Sequence, residues 1–266
     1  MKKAMLSIKS LIVMIMASGC IFFSGTSANV GAFTNSGALK NSLPISIGEK
    51  LIFQLRWGVI EAGEAVLESL PFQYLNGIQS HHFVLKLKTS STVDIFYKIR
   101  ERIESYTDVD ISRSLFYRKK ATGKDKKDIV INFDWEKQKA SYSNFGNPRD
   151  SIDIQSGSFD PLSALFGIRN KEFAVASEIT FPITDGKRCF IGKAHIVKKE
   201  LIELNGTTYD TYLIEPELEH FDGVFKKSKD PELKIWMTAD ERKLPVRIEC
   251  KVIVGSITGE LVSSEM

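Results

Sequence analysis

From residue 48 onward, apolar and polar side chains alternate with a period of two, the spacing that sends one face of a β-strand into a core and leaves the other wet. Leu51, Phe53, Leu55 and Trp57 fall on one face, with Gln54 and Arg56 on the other. The pattern returns at Phe83, Leu85 and Leu87 against Lys86 and Lys88, and at Ile129, Ile131, Phe133 and Trp135 against Asn132 and Asp134. It closes with Val246, Ile248, Cys250 and Val252 against Arg247, Glu249 and Lys251. Strands with one wet face pair antiparallel. Asn76-Gly77, Asp185-Gly186 and Asn205-Gly206 lie between such runs, and these dipeptides take up the positive φ angles of tight hairpins. Two more reversals are expected, one over Trp57 to Gly63 and a charged one over Lys124 to Lys127.

One segment departs from this period. Asp160 is a suitable N-cap, Pro161 is preorganised for the first helical position, and Leu162, Leu165, Phe166 and Arg169 follow helical spacing. The chain therefore predicts a mainly β protein, a strongly curved antiparallel sheet or open barrel closed by one short helix. Pro245 belongs at a strand start, because it has no N–H to donate.

The leader adds an address. Lys2 and Lys3, the apolar run Leu11 to Phe23 and the small residues Thr26-Ser27-Ala28 have the form of a cleaved export signal over residues 1–32. A lead-in follows over 33–47, and a single β domain over 48–262. The apolar run is too short to span a bilayer, so no transmembrane span is expected in the mature chain. Periplasmic or cell-envelope placement is expected, with lipoprotein processing at Cys20 as the alternative. In that oxidising setting Cys189 and Cys250 are candidates for a disulfide.

Composition narrows the function. The 266 residues are 43% apolar, enough for a sizeable core. Lysines and arginines number 36 against 33 acids, and Lys2, Lys3 and Lys9 in the leader account for the excess. Bulk charge gives no reason to expect a nucleic-acid partner. Adjacent His81 and His82 point to opposite faces of a strand, and His195 and His220 have no HxxxH or HExxH companion. Neither a GxSxG elbow nor an SxxK motif occurs, and phosphate-binding and dinucleotide glycine patterns are absent. No catalytic residue, metal site or cofactor is expected, and the basic cluster Lys119, Lys120, Lys124, Lys126 and Lys127 reads as a solvated hairpin tip, with an anionic partner as the alternative.

Three segments together carry a resemblance. They are Gly48 to Phe53 running into Trp57-Gly58-Val59-Ile60-Glu61-Ala62-Gly63-Glu64-Ala65, the Phe159-Asp160-Pro161-Leu162-Ser163-Ala164-Leu165 helix start with Arg169, and Trp236 to Ile248. In this order the chain resembles the exported bacterial family called domain of unknown function 3108, over about Gly48 to Leu261. That family implies no activity. The Trp236 to Ile248 stretch is also similar to periplasmic lipoprotein carriers, whose curved antiparallel sheet wraps a helix around an apolar cavity.

The function expected from export, a curved sheet with an apolar face, and 17 Phe with 3 Trp is non-catalytic binding of a lipid or a lipidated protein. The candidate lining is Phe53, Leu55, Trp57, Phe83, Leu85, Phe133, Trp135, Leu165 and Phe166, with Arg56 and Arg169 at the rim for an anionic headgroup. The alternative is an envelope scaffolding protein that grips a partner through sheet edges and the Phe221-Asp222-Gly223-Val224-Phe225 loop.

Overall fold

The computed structural model describes residues 43–123, 126–218, 228–252 and 255–266. The leader with Cys20, lead-in residues 33–42, Lys124, His220 and the loop at 221–225 lie outside the described residues. The period-two segments are strands: β1 (Lys50–Trp57), β2 (Ile60–Leu75), β3 (Ile78–Thr89), β4 (Ile99–Thr107), β5 (Ser114–Gly123), β6 (Lys127–Asp134) and β7 (Lys139–Asn144). Short β8 (Asn147–Pro148) and β9 (Ile152–Asp153) follow, then β10 (Ser177–Thr184), β11 (Cys189–Leu204), β12 (Thr207–Pro216), β13 (Glu232–Thr238), β14 (Pro245–Val252) and β15 (Gly255–Glu265). A single helical turn, α1 (Ser91–Asp94), joins β3 to β4, and α2 (Pro161–Arg169) lies between β9 and β10.

All fifteen strands belong to one antiparallel sheet in the order β10-β11-β12-β13-β14-β15-β1-β2-β3-β4-β5-β6-β7-β8, with β9 on β7. The first strand is therefore central, paired with β2 on one side and β15 on the other. Asn76-Gly77 and Asn205-Gly206 both have positive φ at the two central residues, as a type I′ hairpin requires. Asp185-Gly186 differs. Only Gly186 has positive φ, and the Asp185 carboxylate holds a longer connection by accepting from the backbone N–H groups of Lys187 and Arg188. The reversal after Trp57 is tighter than expected, since Gly58 takes φ 56° and β2 begins at Ile60.

The sheet curls without closing, and the seam is spanned by the chain before α2. Ile152 pairs with Ala140 on β7. Farther on, Phe159 donates its N–H to the Pro182 carbonyl and accepts from Thr184 N on β10. The β10–β11 hairpin presses on β6 and β7 from there. A Cβ on Gly186 would stand 3.0 Å from Ile131 and 3.1 Å from Tyr142, so only glycine fits this close approach.

Helix α2 fills the interior near the β1 start. Asp160 caps it, with its carboxylate accepting from Leu162 N and Ser163 N, and Pro161 occupies the first turn. Leu162 and Phe166 join the larger core cluster, Ile168 the smaller one, and half-buried Leu165 touches both. Leu162→Ala should cost about 2 to 5 kcal/mol in denaturant titration, because the side chain is 1% exposed. Leu165→Ala should cost clearly less. Equal losses would show that the helix is not seated with Leu162 inward. Residues 43–47, expected in the lead-in, join the fold: Ile45 is buried, and the Pro44 carbonyl binds Arg169.

Candidate functional site

The nine expected lining residues separate into three groups. Phe53, Leu55, Phe83, Leu85 and Phe166 are buried core, and the Phe83 and Phe166 rings stack with centroids 3.6 Å apart. Sheet and helix touch directly there, which leaves no thickness for a ligand between them. Phe133 and Trp135 stack at 5.9 Å, and the Trp135 indole donates to the Ser114 carbonyl at the start of β5 while Arg113 lies over its ring. That pair belongs to the helix end of the molecule, as does Leu165.

Trp57 belongs to the opposite end. It is opposite Ile257 on β15, which is opposite Cys250 on β14, which is opposite Leu233 on β13. Directly opposed residues share a face, so these four form one inward row across four strands. Ile257 and Cys250 are buried, whereas Trp57 and Leu233 are half-buried and pack against the core from its edge. Gly255 makes room for the indole, since a Cβ there would sit 3.1 Å from Trp57 Nε1. Ile129 on β6 is another half-buried apolar side chain packed on the same cluster.

The expected headgroup arginines are placed differently. Arg56 is exposed on the outer face, with a 3.4 Å contact to Gln54. Arg169 is not at a rim. It is fully buried, and its guanidinium forms a bidentate pair with buried Glu49 at 2.6 and 2.9 Å and also donates to the carbonyls of Pro44 and Arg242. Every donor direction is directed into the protein, so this arginine ties α2 to the β1 start and to the β13–β14 turn. The candidate disulfide is not formed in this structure. Cys189 and Cys250 are both free thiols, with Ser158 Oγ 3.4 Å from Cys189 Sγ, and burial pushes the Cys250 thiol up to about 12.

Sequence reasoning missed the polar groups inside the sheet. Asp160 accepts five hydrogen bonds, from the hydroxyls of Ser105, Ser114 and Ser163 and the two capping N–H groups. Burial pushes its carboxyl above the ordinary range, and the three serines pull it back. A second buried pair, Lys119 and Glu101 at 2.9 Å, faces inward from β5 and β4. Burial lowers the Lys119 ammonium, opposed by Glu101. The signal for this pair was parity: Tyr117, Lys119 and Ala121 alternate with outward residues, so Lys119 falls on the inner face.

His81 and His82 do point to opposite faces, His81 stacking on Phe83 and His82 on Tyr106. The carboxylates of Glu178 and Glu217 flank the part-exposed His195 at 3.7 and 2.9 Å, and these three are the one His and carboxylate group among the described residues with the spacing to hold a metal ion. An open groove of about 380 Å³ crosses the outer face of β2 to β5. Lys86, Lys88, Arg100 and Arg102 line it, and each is ion-paired.

A family model described as protein of unknown function DUF3108 matches residues 52–262, nearly all of the described chain. The chain belongs to the DUF3108 family. A solved structure similar to this DUF3108 chain is the beta-barrel-like protein of domain of unknown function DUF1849 from Brucella abortus, with a TM-score of 0.56 at 11% identity. The match covers 83% of this chain and 98% of that one, and it supports the barrel-like fold alone. A protein described as a putative lipoprotein from Parabacteroides distasonis matches at TM-score 0.34 and 12% identity, over 83% and 96% of the two chains. Among curated proteins, none is significantly similar in sequence to this DUF3108 member. No described helix is long and apolar enough to cross a membrane.

Proposed function

We propose that this DUF3108 protein is exported to the cell envelope and binds an amphiphilic molecule, a lipid or the lipid-modified end of a protein, without catalysing a reaction on it. The ligand enters at the end of the sheet away from α2. The observation that carries this reading is the inward row Trp57, Ile257, Cys250 and Leu233, apolar throughout and half-buried at its two outer members. Such a row loses contact with water when an acyl chain covers it. Each buried methylene contributes about 0.8 kcal/mol, so ten of them supply roughly 8 kcal/mol before the cost of association.

Displacement of a fluorescent fatty acid from the delipidated mature chain tests the reading. Saturable binding is expected, weakened at least about tenfold by Leu233→Asp. Leu201→Asp, on the exposed outer part of β11, should leave it unchanged. Absence of saturable binding by the wild type would remove this reading in favour of a scaffolding role.

A further inference from the structure

In an antiparallel sheet, alternate connections emerge at the same end. The β1–β2 turn, the β3–β4 connection and the β7–β8 turn therefore share the end away from the Glu49–Arg169 pair. Their tips are apolar and out in solvent: Val59 is 100% exposed, Ile95 77%, Phe96 66%, Phe145 56% and Ile60 44%. Ser90 joins the first two connections by donating its hydroxyl to the Glu61 carbonyl and its N–H to the Ala62 carbonyl. That brings Val59, Ile60, Ile95 and Phe96 to one corner.

The β3–β4 connection is not loose. Tyr97 is buried, Asp94 is bound in bidentate fashion by Arg100, and Thr89 donates to the same carboxylate. Ile95 and Phe96 are thus held outward by a pinned loop. A rigid exposed apolar cluster of this kind marks a contact surface.

Charge selects the partner. On this side of the sheet Asp94, Asp128 and Glu64 are each matched by Arg100, Arg118 and Lys88. Lys98, Lys126 and Lys127 beside these tips enter no ion pair among the described residues, and of the acids on the two connections joined by Ser90, where Glu64 and Asp94 are paired, Glu61 alone is likewise outside such pairs. The surplus is positive and surrounds apolar tips, the combination that seats a protein in the headgroup region of an anionic bilayer.

We propose that this end of the molecule docks on an anionic lipid surface, with Val59, Ile95 and Phe96 entering the interface and Lys98 and Lys126 facing the headgroups. The inference rests on the envelope placement proposed above and not on ligand capture in the interior. Docking would set the half-buried ends of the inward row, Trp57 and Leu233, toward the membrane.

The test is co-sedimentation of the mature chain with vesicles of phosphatidylglycerol and phosphatidylethanolamine, and with vesicles of phosphatidylcholine alone. Binding to the anionic vesicles is expected, and it should weaken as salt is raised. The double variant Val59→Asp, Phe96→Asp should reduce it at least about tenfold, and Lys98→Glu about fivefold. Tyr74→Asp, at the opposite end and 75% exposed, a value between those of Phe96 and Val59, should leave it unchanged. These sites are exposed, so circular dichroism should show each variant folded. Fatty-acid displacement should be the same for tip variants and wild type, which separates failure of docking from failure of ligand binding. Absence of sedimentation with anionic vesicles, or sedimentation of the double variant like wild type, overturns the proposal and leaves the tips to a protein partner.

Discussion

Arg169→Met should destabilise the protein by about 3 to 5 kcal/mol in denaturant titration, one of the two largest effects expected of a single substitution here. The buried guanidinium satisfies both oxygens of Glu49, itself 2% exposed, and two backbone carbonyls. Removing it leaves a carboxylate with no counter-charge in a place water does not reach. Pairing the change with Glu49→Leu should recover part of the loss, since an apolar pair of similar volume avoids desolvating two charges. A single-variant loss under about 1 kcal/mol would mean that water or another cation reaches Glu49, and the buried-pair account would fail.

Asp160→Ala should cost a comparable amount, about 3 to 5 kcal/mol. An exposed N-cap loses only about 1 kcal/mol on truncation to alanine. Here the same carboxylate also receives three hydroxyls from two strands and the helix, at 2.5 to 2.6 Å, and all five donors would be stranded in the core. Asp160→Asn keeps an acceptor for the cap but turns an amide N–H₂ toward hydroxyls that need an acceptor, so its loss should fall between wild type and alanine. If alanine costs no more than an ordinary cap, the serines have found other partners. Unfolding of the Ser105→Ala, Ser114→Ala double variant would then be indistinguishable from wild type.

The elements were legible where a local rule decides them. Strand positions follow from period-two burial, the hairpins from Asn-Gly pairs, and the helix start from Asp160-Pro161. Even so, the reach of β2 and β11, sixteen residues each, exceeds what short alternating runs suggest, because long hairpins tolerate bulges at Leu70/Gln73 and Ile196/Lys198. The candidate site was less legible. Phe53 and Trp57 have the same parity on one strand, yet one is solid core and the other an edge, a difference set by where α2 lies. Arg169 was misread for a related reason: its partner Glu49 is 120 residues away, and exposed and buried arginines look alike in a sequence. Its position on the apolar stripe with Leu162, Leu165 and Phe166 was the available sign that its charge would be matched inside.

The central place of β1 has a kinetic consequence. Leu51 pairs with Ser264 and Trp57 with Ile257, so the first strand lacks one neighbour until the last strand has been made. The N-terminal strands can assemble their own meander, but β14 and β15 must be present before the sheet is continuous across β1. Contacts this distant in sequence raise contact order and slow folding, and they postpone the final step until synthesis is complete. Until then one edge of β1 stays open beside the core, so a chain truncated before β14 would present that edge as a site for pairing with another molecule.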